Sequence, residues 1–241
     1  MIKRDSLLTA ISKYHLSGNV EKVVWNVDSK TLFCKFIDES KTLVGEVKCP
    51  LDIKDGSYCI YDTNSLSKMI SILDHDVHIE TVGNKEKTTQ MLLADSKVDI
   101  KYNLADKRVI PTPPEVSGLD TIAFEMNLDS EFTQKFIKAK DSLSAINVVN
   151  IGTHHGFTGE QALISVGDRG SSTIEFHENA NVNENVRDLI PFNSDLIKDI
   201  FRANKTFKQG TLALNPKGLL IIKFVEDDIT SKYYLVRNQN N

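Results

Sequence analysis

At 241 residues, 40% hydrophobic and 26% charged, the chain has the make-up of a globular protein, long enough for one large or two ordinary domains. Its net charge of −4, from 29 basic and 33 acidic residues, excludes a surface coated uniformly for nucleic acid but leaves room for a local basic face. No apolar run approaches the roughly 20 residues that cross a bilayer, and the N-terminal Met1-Ile2-Lys3-Arg4-Asp5 leads into an amphipathic segment with no signal-peptide core, so a cytosolic setting without membrane contact is expected. Cys34, Cys49 and Cys59 lack metal-type spacing and sit in or beside apolar stretches, which predicts buried free thiols in a reducing compartment.

Apolar residues at helical spacing predict four helices in chain order. Residues 5–14 align Leu7, Leu8 and Ile11; residues 64–73 align Leu66, Met69, Ile70 and Leu73. Residues 129–143 align Phe132, Phe136, Ala139 and Leu143; residues 193–204 align Leu196, Ile200 and Ala203. Each opens on Asp, Asn or Ser, whose side chains accept from free helical N–H groups, and Asp129 and Asn193 are the clearest caps. The segments 23–27, 31–36, 42–47, 77–82, 89–94 and 97–102 alternate like strands. The second half does the same at 147–151, 162–166, 172–177, 210–214, 219–225 and 232–236. Hairpin-length gaps such as Asp28-Ser29-Lys30 predict antiparallel meanders. Pro111-Thr112-Pro113-Pro114 cannot enter a sheet interior, and its place near mid-chain predicts a connector.

A faint repeat spans the connector. Ser65-Leu66-Ser67-Lys68-Met69-Ile70 and Asp195-Leu196-Ile197-Lys198-Asp199-Ile200 place Leu, Lys and Ile alike, and each follows a strand end and precedes alternating strands. On a helical wheel Lys198, Arg202 and Lys205 fall opposite the apolar stripe, as Lys68 does in the earlier copy. Lys135 and Lys138 lie off the Phe132/Phe136 stripe, and Arg4 and Lys13 flank the first helix. Spaced cations on rigid helices suit a polyanion backbone read without base preference. Solvated polar faces are the competing reading, with Asp195 and Asp199 diluting the charge.

Chemistry-bearing motifs are missing. Gly156-Phe157-Thr158-Gly159 and Gly167-Asp168-Arg169-Gly170 lack the Lys-Ser/Thr of a phosphate loop and suit hairpin turns. His154-His155 has no third ligand at metal spacing, no Ser or Cys stands in a nucleophile elbow, and Glu226-Asp227-Asp228 falls at a turn. No catalysis and no cofactor are expected.

Tyr58-Cys59-Ile60-Tyr61-Asp62-Thr63-Asn64-Ser65-Leu66, followed by Ile70, Ile72 and Leu73, resembles the middle of the first domain of the DNA polymerase sliding clamps of T-even-like bacteriophages. The proline-rich connector after Val109-Ile110 is similar too. Leu219-Leu220-Ile221-Ile222-Lys223-Phe224, an acidic turn and Lys232-Tyr233-Tyr234-Leu235 resemble the last hairpin of phage clamps and of proliferating cell nuclear antigen. The resemblance implies an α+β fold: two similar clamp domains, antiparallel sheets outside and helices lining the inner face of a ring. The domains would be residues 1–108 and 121–241, joined by a connector at 109–120. It further implies a homotrimer around double-stranded DNA, loaded by an ATP-driven clamp loader, tethering a DNA polymerase in the cytoplasm of an infected bacterial host.

The same resemblance assigns sites. Arg4, Lys13, Lys68, Lys135, Lys138, Lys198, Arg202 and Lys205 would face DNA. Residues 97–103 and 172–179 would be sheet edges that join subunits through Val98, Ile100 and Tyr102 and through Ile174 and Phe176. Val109, Ile110 and Pro111 with Tyr234, Leu235 and Val236 would form a groove for partner peptides, unless they only pin the connector. A β-rich phage structural or binding protein that forms no ring is the alternative, and an uncharacterised hydrolase a more distant one.

Overall fold

The computed structural model describes residues 2–83, 88–117, 121–156, 159–168, 170 and 172–238. Residues 157–158 and 169, expected in turns, and 118–120, expected in the connector, lie outside the described residues. The chain divides into two compact units, the first chiefly residues 2–39 with Gly45–Pro114 and the second chiefly Glu115–Asp227 with the C-terminal strand.

In the first unit β1 (Ile2–Lys3) leads into α1 (Arg4–His15), then β2 (Val23–Asp28), β3 (Thr31–Ile37), β4 (Leu43–Pro50) and β5 (Gly56–Ile60). Next come α2 (Thr63–Ile72), β6 (Asp76–Gly83), β7 (Thr88–Ala94) and β8 (Asp99–Asn103). Strand orders are β1-β6-β7-β8 and β4-β3-β2-β5, with antiparallel pairing. Ser29 and Lys30, both at positive φ, form the tight turn that joins β2 to β3. The core centres on Trp25, whose indole N–H donates to the Tyr14 hydroxyl at 3.1 Å while the Phe36 ring lies 6.3 Å from the Tyr14 ring. Gly45 makes room for that phenylalanine, since a Cβ there would stand 2.2 Å from the Phe36 ring.

The second unit repeats the plan. Its order is β9 (Phe124–Leu128), α3 (Ser130–Ser142), β10 (Val148–Gly156), β11 (Gly159–Val166), β12 (Ile174–Asn179), a two-residue β13 (Asn181–Val182) and β14 (Ile190–Asn193). Then follow α4 (Ser194–Ala203), β15 (Gln209–Asn215), β16 (Leu219–Glu226) and β17 (Ile229–Val236). Strand orders are β12-β11-β10-β14 and β13-β9-β15-β16-β17. Apart from β13, these match the first unit element for element: β9, β15, β16 and β17 stand as β1, β6, β7 and β8 do. The repeated Leu-x-Lys motif occupies the second helix of both units. Its core is an aromatic stack: the Phe136 ring lies 5.1 Å from Phe201, 6.3 Å from Phe132 and 6.4 Å from Phe176.

Differences from the sequence reading are local. The α1 helix starts at Arg4 after Lys3, with no side-chain cap; Asp5 sits in the first turn, where it faces the helix dipole. The cap of α2 is Asp62, which accepts from Ser65 N–H at 2.7 Å. Residues 97 and 98 belong to a turn rather than a strand, because Asp95 Oδ1 accepts from both of their N–H groups. The three thiols are buried. Burial pushes the Cys49 thiol up to about 11 against the opposing pull of Lys13, and raises Cys34 further with Cys49 nearby.

Candidate nucleic-acid interface

Each unit pairs its two helices, α1 on α2 and α3 on α4. The apolar stripe of every helix is buried, so polar residues occupy the open faces. The four helices carry eight lysines and arginines against five acidic residues. With the whole chain at −4, that leaves the remainder at −7. Two of the eight, Lys13 and Lys140, are buried, so the open helix faces carry six cations against five carboxylates: slightly positive on an otherwise acidic chain.

Lys68, Lys138 and Lys205 are exposed and have no ion-pair partner among the described residues. Lys205 lies just beyond α4 rather than on it. Lys135 is exposed and held by Glu131 one turn earlier at 2.6 Å. Arg4 donates to the Leu73 carbonyl at 2.8 Å, which ties the start of α1 to the end of α2, and pairs with Asp5 at 3.0 Å. Lys13 corrects the sequence reading: it is 1% exposed, on the buried side of α1 with Ala10 and Tyr14, and cannot reach an external phosphate. Reading Lys13 as a flanking residue missed this, because a lysine stem is long enough to enter a core when its ammonium finds partners.

Between α3 and α4 the cations are bound to carboxylates. Lys140 is buried, donates to the Ser144 carbonyl at 3.2 Å and pairs with Asp195 at 3.0 Å. Lys198, its side chain 17% exposed, lies 3.3 Å from Asp195 and 3.6 Å from Asp141. Arg202 binds both oxygens of Asp141, at 2.8 and 3.1 Å. Burial opposes ionisation of Asp195, but hydrogen bonds from Lys140 and Lys198 outweigh it and hold the carboxyl below its ordinary range. Neither Lys140 nor Asp141 was singled out from sequence. The available signal was spacing, since Lys140 continues the stripe of Phe132 and Phe136.

Strands β8 and β12 each end their sheets. On β8, Ile100 is half-buried while Tyr102 is buried, its hydroxyl donating to the Asp62 carbonyl at 3.0 Å and accepting from Asp62 N–H at 3.2 Å. Val98, just before it, is half-buried. On β12, Ile174 and Phe176 are half-buried, the latter ring 5.5 Å from Phe132. The opposite faces expose Asp99, Lys101 and Asn103 on β8 and Glu175, His177 and Asn179 on β12.

In the first unit Val109 ends a short 3₁₀ turn capped by Asp106 and is 52% exposed, with Pro111 exposed and Ile110 buried between them. In the second, Leu235 and Tyr234 are buried, Lys232 Nζ sits 4.8 Å from the Tyr234 ring centre, and Val236 is 45% exposed. The open apolar positions are thus Val109, Pro111 and Val236.

No known protein family's sequence pattern matches the chain, and no curated protein matches it in sequence. Solved structures do match. Proliferating cellular nuclear antigen from Entamoeba histolytica is 16% identical with a TM-score of 0.75, over 98% of this chain and 96% of that one. A. fulgidus PCNA, solved with the C-terminal region of FEN-1 bound, is 15% identical with a TM-score of 0.75, over 100% of this chain and 98% of that one. The element-for-element repeat and the full-length match agree: the chain has the PCNA-like sliding-clamp fold, α+β in class, with two domains of antiparallel sheet and paired helices.

Proposed function

We propose that the chain is a non-catalytic sliding clamp that encircles double-stranded DNA and tethers a replicative polymerase. The observation that carries this reading is the charge arrangement on the duplicated fold. Both units present a helix pair, and the helices are net positive while the rest of the chain is net negative. Helix faces that are slightly positive within an acidic body accept a polyanion and contact it loosely, through water, with no base readout. Loose contact is what a sliding ring requires.

Three copies would close the ring head to tail, β8 of one subunit beside β12 of the next. Unpaired sheet edges invite such pairing, and joining unlike edges closes a cycle. The charges support it, because β8 exposes Lys101 where β12 exposes Glu175. Val98, Ile100, Ile174 and Phe176 would bury apolar area across the joint, while Tyr102 holds β8 to its own domain. A clamp-loader ATPase would open the ring. Partner proteins would dock short peptides on apolar positions around the connector and the last strand, as the A. fulgidus protein binds the C-terminal region of FEN-1. The resemblance in residues 58–73 points to a T-even-like phage and to action in the cytoplasm of its bacterial host.

Retention on circular DNA tests the reading. The loaded protein should stay on a nicked circle through gel filtration and be lost once the circle is linearised. Equal retention on both forms, or on neither, would exclude encirclement. Light scattering should give three times the 27.0 kDa chain mass.

A further inference from the structure

We propose that Asp141 is a carboxylate brake on the DNA-facing helices of the second unit, holding Arg202 through both its oxygens in an ion pair that phosphates must displace. The inference rests on the clamp reading and names how tightly that face grips. Asp195 and Asp141 look alike in sequence but differ in what they serve. Asp195 neutralises Lys140, whose ammonium is buried; a buried charge without a partner is strongly unfavourable, so the fold demands Asp195. Asp141 has no such client. It is 48% exposed and binds Arg202, on the open face, at 2.8 Å; Lys198, at 3.6 Å, is largely buried and also held by Asp195 at 3.3 Å.

Ion pairs this exposed add little to folding. The consequence is electrostatic: one carboxylate occupies Arg202, an exposed cation that would otherwise reach phosphates. In the first unit the corresponding helix cation, Lys68, has no ion-pair partner among the described residues, and Arg4 pairs only with its chain neighbour Asp5, at 3.0 Å. The two helix pairs therefore grip DNA unequally, the second held back by its own carboxylate.

Removing the brake should release one phosphate contact per subunit, that of Arg202. That contact steepens the fall of log affinity with log salt by about 0.9, or roughly a threefold gain between 200 and 50 mM salt. The experiment measures fluorescence anisotropy on a short linear duplex across that salt range. It compares wild type, Asp141→Asn, Lys198→Ala/Arg202→Ala and the triple variant, with circular dichroism confirming that each is folded. The expected result is a gain of about threefold at low salt and a steeper slope for Asp141→Asn, a loss for the double variant, and no gain in the triple. If the double variant loses affinity but Asp141→Asn matches wild type, the brake is refuted and the clamp reading stands. A gain that persists in the triple also refutes it, because the added affinity would not come from the released Arg202. If no variant alters binding, the face does not meet DNA, and the brake falls together with the DNA-facing assignment.

Discussion

Replacing Phe136 with alanine removes the ring at the centre of the second unit's core. That ring is 1% exposed and touches Phe201, Phe132 and Phe176 at centroid separations of 5.1 to 6.4 Å, with the Phe201 contact edge-on. Phe→Ala in a packed core costs about 3–5 kcal/mol, and each aromatic pair lost carries about 0.5–1.5 kcal/mol within that total. Three pairs place this site near the top of the range, about 4–5 kcal/mol. With a urea dependence of about 2 kcal/mol/M, the unfolding midpoint should fall by roughly 2 M. Phe136→Leu, which keeps most of the volume, should cost less than about 1.5 kcal/mol. Far-UV circular dichroism is the suitable probe, because the single tryptophan, Trp25, reports only on the first unit. Phe176 sits on the edge strand β12, so the alanine variant should also weaken self-association. A midpoint shift below about 0.5 M, or equal shifts for Ala and Leu, would show that this aromatic stack is not the packing centre it looks to be.

Ile100→Asp and Ile174→Asp should each give folded monomers by light scattering, and a trimer persisting in both would remove β8 and β12 from the joint. Val109→Asp with Val236→Asp should abolish polymerase stimulation while leaving trimer mass and circle retention intact; unchanged stimulation would move the docking site elsewhere. The buried Leu235 is the wrong place to ask that question, since its truncation is expected to cost about 2–5 kcal/mol of stability. Thiol reagents at pH 8 should leave all three cysteines unmodified in the folded chain and label all three in urea, because burial keeps Cys34 and Cys49 protonated. The Asp195 carboxyl, depressed in the folded state, adds stability above its unfolded pKa of about 3.9 and loses it as pH falls through the lower folded value. Lys140→Met should therefore be destabilised most at neutral pH, with its deficit against wild type shrinking below about pH 4; a constant deficit would assign the effect to packing alone.

Much of the fold was legible from local pattern. Helix caps at Asp129 and Asn193, one-sided apolar stripes and alternating strands are set within a few residues of chain, and each emerged near its predicted place. The Leu-x-Lys repeat identified the second helix of each unit because duplicated folds place the same apolar spacing against the same sheet. The short strands β1 and β13 carry two residues each, too few for alternation to register, and exist only because β6 and β9 offer them a partner.

The helix faces show where sequence stopped. Counting cations on a wheel treated Lys13, Lys140, Lys198 and Lys68 as equivalents or overlooked them. Their fates depend on what stands opposite: a core around Lys13, the buried side of α3 around Lys140, Asp141 and Asp195 around Lys198, and solvent around Lys68. Asp141 and Arg202 are 61 residues apart, and no periodicity within either helix reports their meeting. By itself the sequence determined which elements form and that they form twice, because hydrophobic period and capping act over one or two turns. The tertiary structure alone decided which charges remain open to a partner, because charge pairing acts across a few ångströms of space regardless of separation along the chain.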